Sequence, residues 1–406
     1  MSRFDEVIAE HCPNGVPVQR LGDIAQLVRG NGMPKTDLTT EGVGAIHYGQ
    51  IYTRYGTWAT ETFSFVTPET AARLAHAEHG DIVITNTSEN IEDVGKAVAW
   101  LGDCPVVTGG HATVIKHQQD PKYLAYWFQS EAFYLQKRAL ATGTKVIDVS
   151  ARQLAKVRIP APPLEVQHEI VRILDRFSEL EAELEAELEA RRNQYEHYRG
   201  YLFRGLDASP TATLGSICLQ VLTGATPLST RRDYYGGEIP WLRTQEVRYR
   251  DVTGTEVKIT QAGFDNSGVR WVPANSVIVA MSGAGITRGR VAVTTLPLTT
   301  NQHCCSLVID PTQANHRFVY HWLVDRYDEL RARGQGNRSD LNMGIIKEFP
   351  MFLPPLEEQA RIAGLLDMFD VLVNDLSIGL PAELAARRKQ YEYYRDKLLT
   401  FEELSA

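Results

Sequence analysis

At 406 residues the chain exceeds one compact core and suits two or more domains, and its 43% hydrophobic content is ordinary for a globular protein. No apolar run approaches the ~18 residues needed to cross a bilayer, and no apolar stretch follows Met1-Ser2-Arg3-Phe4 to form a secretory leader. Five cysteines without a CxxC pair argue against a disulfide framework or a zinc site, so a cytoplasmic location is expected, and the net charge of −8 argues against a uniformly basic nucleic-acid binder.

In chain order, a short segment (1–17) leads into a globular stretch (18–160) of β-like runs broken by glycine, with one helical stretch around Tyr123–Leu140. A helical region (161–210) follows. A second globular stretch (211–353), with a helical stretch around Phe318–Arg331, and a second helical region (354–406) complete the order. In the first helical region Ile170, Ile173, Phe177, Leu180, Leu184 and Leu188 step by three or four, continued by Tyr195, Tyr198 and Leu202. In the second, Ile362, Leu365, Phe369, Leu372 and Leu376 do the same, followed by Leu384, Tyr391, Tyr394 and Leu398. This is coiled-coil-like spacing. The acidic run Glu179–Glu189 makes a solvated face.

The chain repeats itself. Pro162-Pro163-Leu164-Glu165-Val166-Gln167 returns as Pro354-Pro355-Leu356-Glu357-Glu358-Gln359, and Ile173-Leu174-Asp175-Arg176-Phe177 as Leu365-Leu366-Asp367-Met368-Phe369. Arg191-Arg192-Asn193-Gln194-Tyr195-Glu196-His197-Tyr198-Arg199 returns as Arg387-Arg388-Lys389-Gln390-Tyr391-Glu392-Tyr393-Tyr394-Arg395, four residues later than the earlier offset. Four residues are about one helical turn and nearly preserve the buried face. Gly379-Leu380-Pro381 predicts a kink or short break at the insertion. The globular stretches repeat more weakly. Leu21-Gly22-Asp23-Ile24 answers Leu214-Gly215-Ser216-Ile217, Gly44-Ala45-Ile46 with Tyr48 answers Gly237-Glu238-Ile239 with Trp241, and Trp127 answers Trp322.

Charge follows this division. Residues 18–160 hold 14 basic and 14 acidic side chains, and residues 211–353 hold 15 and 12, with 13 of the 15 being Arg. The negative charge therefore lies in the helical regions, leaving the globular stretches neutral to mildly basic. Arginine suits bidentate contact with guanine or phosphate.

Cys12-Pro13-Asn14-Gly15-Val16 leading into Leu21-Gly22-Asp23-Ile24, the doubled Pro-Leu-Glu-x-Gln helix start and the doubled Arg-Arg-x-Gln-Tyr-Glu-x-Tyr-Arg helix end together resemble the specificity subunits of Type I restriction-modification systems. The resemblance covers essentially the whole chain. It implies an α+β fold: two mixed target recognition domains, each followed by a long helix, the helices packing as an antiparallel coiled coil with pseudo-two-fold symmetry. It also implies a non-catalytic subunit that binds a bipartite duplex DNA target, one half-site per domain. Two methylation (M) subunits would bring S-adenosylmethionine, and two restriction (R) subunits would bring ATP and Mg; no cofactor is expected on this chain.

The residues are consistent with the absence of chemistry. No Asn/Asp-Pro-Pro-aromatic methyltransferase loop and no GxxxxGK[ST] phosphate loop occur; Gly283-Ala284-Gly285 reads as a turn, His76-Ala77-Glu78-His79 as surface and Cys304-Cys305 as buried strand thiols. Candidate DNA contacts are polar and aromatic residues in glycine-broken loops. In the first domain these are Lys35, Tyr48, Gln50, Arg54, Asn86, Ser88, Asn90 and Lys145. In the second they are Arg231, Arg232, Arg243, Gln245, Arg248, Arg288, Arg290, Asn301, Gln302, Asn337 and Arg338. Arginine can clamp guanine, and Asn or Gln can clamp adenine, against the blander role of positioning on phosphate. Phe177, Tyr195, Tyr198, Phe369, Tyr391 and Tyr394 are the candidate partner-packing aromatics of the helical regions. Two alternatives remain open: an S-like subunit of a fused restriction-methylation enzyme, and a helical adaptor whose globular domains bind proteins.

Overall fold

The computed structural model describes residues 3–283, 287–334, 340–375 and 377–404. The chain forms two units: Met1–Leu184 with Leu384–Ala406, and Glu185–Glu383. Each contains one globular stretch and parts of both helical regions.

The two units share one topology. In the first, a five-stranded sheet runs in the order Ala25–Arg29, Ala112–His117, Ile82–Thr85, Ala97–Trp100, Trp58–Ala59. In the second the order is Cys218–Thr223, Cys304–Ile309, Val277–Ala280, Val291–Thr294, Asp251–Val252. In each, the last pair is parallel and the others antiparallel. A four-stranded sheet accompanies each: Ser64–Val66, Val43–Ile46, Val106–Thr108, Ala75–Ala77 in one, and Lys258–Ile259, Tyr235–Leu242, Leu298–Thr300, Trp271–Val272 in the other. Ile82–Thr85, Ala97–Trp100, Val277–Ala280 and Val291–Thr294 are buried at every position. Their β-branched and small side chains suit sheets covered on both faces. Cys304 and Cys305 are buried in their strand, and burial pushes both thiols up to about 12.

Each domain closes on itself where it meets its helix. Val18–Arg20 pairs with Arg158–Pro160, and Thr211–Thr213 with Pro350–Phe352. A capped helix packs behind each large sheet. Asp120 accepts the Tyr123 N–H at 2.9 Å to start Pro121–Trp127, with Pro121 at the first turn. Asn315 accepts the Arg317 and Phe318 N–H groups to start His316–Asp325. Tyr123, Trp127 and Phe133 fill the first core with Val166, Ile170 and Leu174 of the following helix. Phe203, Phe318 and Trp322 fill the second with Ile362 and Leu366. Each fully buried aliphatic side chain of these sets contributes roughly 1.5–3 kcal/mol.

The doubled motifs have a physical explanation. Gln167 and Gln359 are buried hinge pins. Gln167 Oε1 accepts the N–H of Asp120 at 2.9 Å and its amide donates to Pro162 O at 2.7 Å. Gln359 Oε1 accepts the N–H of Asn315 at 2.9 Å and its amide donates to Pro354 O at 2.7 Å. Each glutamine thus fastens its helix start to the cap of its domain's own helix. Asp175 accepts from Lys122 Nζ and the Tyr126 hydroxyl, both at 2.7 Å. At the equivalent place Asp367 faces Arg317 Nε at 2.8 Å and His321 Nε2 at 2.7 Å.

The first helical region is one helix, Leu164–Arg204. The second is two, Leu356–Asn374 and Leu380–Leu398. The insertion is therefore a break, as Gly379-Leu380-Pro381 predicts, and the second copy is not one continuous helix. A Cβ at Gly379 would lie 2.4 Å from Val371 O and 2.8 Å from Leu372 O, so only glycine fits there. In the first unit Phe177 stacks on Tyr394 at 5.6 Å and meets Tyr391 at 6.4 Å, while Glu181 pairs with Arg388. Rising numbers on one helix meet falling numbers on the other, which is antiparallel packing. In the second unit Phe369 stacks on Tyr195 and Tyr198 at 6.1 and 5.7 Å. The six aromatics thus pack against one another within the units, and Tyr195 is buried.

The units differ at one junction. In the second, the chain runs unbroken from Arg204 through Pro210, whose carbonyl accepts the Leu353 N–H at 2.7 Å. In the first, Pro17 O accepts the Ala161 N–H at 2.9 Å, but the matching helix, Leu380–Leu398, comes later in the chain, so the link to it is non-covalent. Val16 N–H donates to Glu402 O at 2.8 Å, and Leu404 N–H to Val16 O at 3.0 Å.

Candidate nucleic-acid interface

In each unit one strand of the small sheet turns a corner into the large sheet. Val106–Thr108 runs through Gly109-Gly110-His111 into Ala112–His117, and Leu298–Thr300 runs through Asn301-Gln302-His303 into Cys304–Ile309. The loop after the edge strand of the large sheet is drawn onto this corner. Gly30 N–H donates to Ala112 O at 3.1 Å, and a Cβ on Gly30 would lie 2.2 Å from Gly109 O. In the second unit Ala225 N–H donates to Thr300 O at 3.1 Å, and a Cβ on Gly224 would lie 1.7 Å from that oxygen. Glycine permits the backbones to approach so closely.

A capped turn completes each corner. His47 Nδ1 accepts the Gly49 N–H at 3.2 Å, while Gln50 Oε1 accepts the His47 N–H at 3.3 Å. In the second unit Arg243 takes the place of His47, and Glu246 accepts its N–H at 3.1 Å. This register moves one sequence-level match. Ala45 and Ile46 pair with Val107 and Thr108 as Trp241 and Leu242 pair with Thr299 and Thr300. The counterpart of Tyr48 is therefore Thr244. Trp241 is a buried strand residue whose indole donates to Ala225 O at 3.0 Å.

The first corner is aromatic and basic. The Tyr48 ring lies 4.5 Å from His47, 4.8 Å from His111 and 6.3 Å from Tyr52. Thr87 Oγ1 is 2.9 Å from His111 Nδ1. Burial holds the His47 imidazole below its ordinary pKa, and the charges of Lys35 and His111 add to the effect. Lys35 is exposed and has no ion pair among the described residues. Lys137, not singled out by the sequence, steadies the neighbouring loop. It is buried, donates to Glu92 O at 3.0 Å and Val94 O at 2.7 Å, and burial followed by Lys96 depresses its pKa to about 8.

The second corner carries amides and balanced charge. Buried Asn301 exchanges hydrogen bonds with Thr244 at 3.3 and 3.2 Å and accepts the His303 N–H at 3.1 Å. Exposed Gln302 accepts from the Thr226 hydroxyl and faces His303 Nε2 at 3.4 Å. Arg243 pairs with Glu256 at 2.6 Å and Glu246 at 3.3 Å, and Arg248 with Glu256 at 3.7 Å. Arg231 pairs with Asp233 at 2.7 Å and lies 4.7 Å from the Tyr234 ring centroid. The side chains of Arg232 and Gln245 are exposed and have no such partner among the described residues.

The other nominated residues lie elsewhere or face inward. Asn86 is fully buried; its amide donates to Val149 O at 2.7 Å and its carbonyl accepts from Thr113 at 2.8 Å, so it fastens strands together. Ser88 is buried in the short strand Thr87–Ser88. Asn90 forms a turn with Asp93 at 2.8 Å, Arg54 lies 5.5 Å from the Phe63 ring, and Lys145 is exposed. Arg288 is half-buried, and Arg290 lies over Tyr249 at 5.7 Å. Asn337 and Arg338 lie outside the described residues, as does Leu376 of the apolar stripe. His111 and His303 stand at equivalent places in the two corners, yet the sequence reading nominated neither.

The model of the Type I restriction modification DNA specificity domain matches twice, over residues 13–190 and 210–386. The chain belongs to that family. Each match takes in one globular stretch and part of the helical region after it, and the two globular stretches are the target recognition domains. The chain is 33% identical over 291 residues to the specificity subunit of the Type I restriction enzyme EcoR124I/EcoR124II of Escherichia coli, covering 69% of this chain and 70% of that one. Its fold is similar to that of the HsdS subunit from Thermoanaerobacter tengcongensis: TM-score 0.53, 16% identity, 96% of both chains. A chain from a structural study of complex assembly and conformational transition in the type I R-M system aligns with a TM-score of 0.63 at 17% identity, over 95% of this chain and 98% of that one. Among the described residues no helix is long and apolar enough to cross a membrane.

Proposed function

We propose that this chain is the sequence-reading subunit of a Type I restriction-modification complex. Each target recognition domain reads one half of a bipartite duplex site, and the chain positions methylation and restriction subunits on that site. The carrying observation is the pair of corners: one scaffold, on which Asn86 N–H to His111 O and Met281 N–H to His303 O are equivalent bonds, furnished once with Lys35, Tyr48 and His111 and once with Gln302 and His303. A repeated frame with different polar surfaces suits two readings of different sequence. Direct readout uses such donors and acceptors in the major groove, and cations hold the phosphates.

Chemistry is assigned to the partners. The two M subunits carry S-adenosylmethionine and the adenine-N6 transfer, and R subunits carry ATP and Mg. This chain contributes position, which the missing methyltransferase and nucleotide-loop motifs support.

The test is co-expression with an M subunit of a Type I system, followed by genome-wide mapping of N6-methyladenine. The expected result is one split motif, lost when this chain is omitted. Methylation that is indifferent to this chain, or DNA binding that never exceeds the non-specific level with M present, overturns the reading and favours a protein-binding adaptor.

A further inference from the structure

We infer that His111 and His303 are paired base-reading residues, each contacting a base edge in the half-site of its own target recognition domain. The inference rests on the sequence-reading function proposed above and adds the residues that carry it.

The two histidines are equivalent by structure. Each is the last residue of the corner between the sheets, one position before the inner strand that begins at Ala112 or Cys304. His111 O accepts the Asn86 N–H, and His303 O accepts the Met281 N–H, both at 2.8 Å. The backbone at each site is therefore fixed by a buried sheet, while the imidazole is exposed. An exposed head on a fixed backbone is what a reading residue needs, because little ordering remains for the moment of binding.

Each ring is engaged on one side only. Thr87 lies at His111 Nδ1, leaving Nε2 without a partner among the described residues. Gln302 lies at His303 Nε2; because the Gln302 carbonyl accepts from Thr226, its amide donates and His303 Nδ1 carries the proton. That Nδ1–H also lacks a partner among the described residues. A ring held by one nitrogen and open at the other is oriented to hydrogen-bond a base edge. The supporting neighbours differ, Tyr48 and Thr87 against Gln302 and Thr226, so the same residue type can meet a different base in each half.

The experiment uses the complex with M subunits and compares His111→Ala, His303→Ala and the exposed control His76→Ala, which lies in the edge strand Ala75–Ala77. Relative methylation rates are measured on a library with every base of both half-sites varied, at two salt concentrations. His111→Ala should lose discrimination at one position of one half-site by roughly five- to hundredfold, leaving the other half unchanged. His303→Ala should do the same in the other half, and His76→Ala should do nothing. Thermal unfolding should not change, since both rings are exposed; His111→Gln, with a polar head for Thr87, serves if the alanine is unstable. Unchanged discrimination in both variants overturns the inference. So does uniform weakening with a shallower salt dependence, which marks a phosphate contact. Failure of the unaltered complex to select a split site would instead defeat the function proposed above.

Discussion

Where the first target recognition domain meets its helix, Asp175 holds a lysine and a tyrosine; at the matching place in the second, Asp367 holds Arg317 and His321. Arg317 also reaches Asp251 at 2.6 Å, so the second joint is a chain of charges where the first is one ion pair and one hydrogen bond from an uncharged hydroxyl to the same carboxylate. Beside these joints sit the two glutamine pins, alike in partner and distance. Between the two joints the backbone-directed contacts are the same and the side-chain-directed ones differ. Contacts to backbone fix where the domain sits on its helix; the side chains around them are free to drift as long as each buried charge keeps a partner.

The sharpest test of that equivalence is Gln167→Leu against Gln359→Leu. Each orphans a buried N–H and carbonyls, and each should cost about 3 kcal/mol by urea denaturation. Unequal losses would break the comparison. Asp367→Asn should cost about 2–4 kcal/mol because it leaves the mostly buried Arg317 charge under-compensated, and Asp175→Asn about 1 kcal/mol less, since Lys122 still lies over the Trp58 ring at 3.9 Å.

Acid should separate the joints further. Burial, above all, holds His321 below its ordinary pKa, against the pull of Asp367. With the folded value below the unfolded ~6.5, the unfolded chain binds the proton first. The contribution is complete above pH 6.5 and is lost as pH falls below it, by up to about 1.4 kcal/mol per pH unit. Tyr126, at the matching place, does not titrate in this range, because burial raises its pKa. His321→Asn should therefore flatten the stability profile below pH 6.5 relative to the unaltered chain, and an unchanged slope would contradict the assignment. The smallest effect belongs to the stacked aromatics. Phe177→Ala and Phe369→Ala should each cost about 1–2 kcal/mol, because the rings are half-exposed.

The repeat made the helical frame legible: residues that recur at a fixed offset are those that touch the frame itself, such as Gln167 and Gln359 or Phe177 and Phe369. The break at Gly379 was legible too, through an insertion with Gly and Pro at its edge. The sites were much less so. Asn86 and Asn301 have the composition of reading residues, but both are buried and spend their amides on strands, and composition cannot separate an inward amide from an outward one. Tyr48 and Trp241 were matched because both are aromatic, whereas strand register places Thr244 opposite Tyr48. His111 and His303 are as far apart in the chain as Gln167 and Gln359, each directly before an apolar strand, and that is the signal the sequence offers. It passed unnoticed because a single shared residue between diverged loops is a weak match until the hydrogen bonds on either side fix the register.

The central claim, two independent readers on one frame, is tested most directly by exchange. Residues 18–160 are replaced by the corresponding domain of another family member, the chain is assembled with its M subunits, and methylated adenines are mapped. The account predicts a motif with one half replaced and the other half intact. A change in both halves, or loss of all sequence preference in a folded complex, would contradict it.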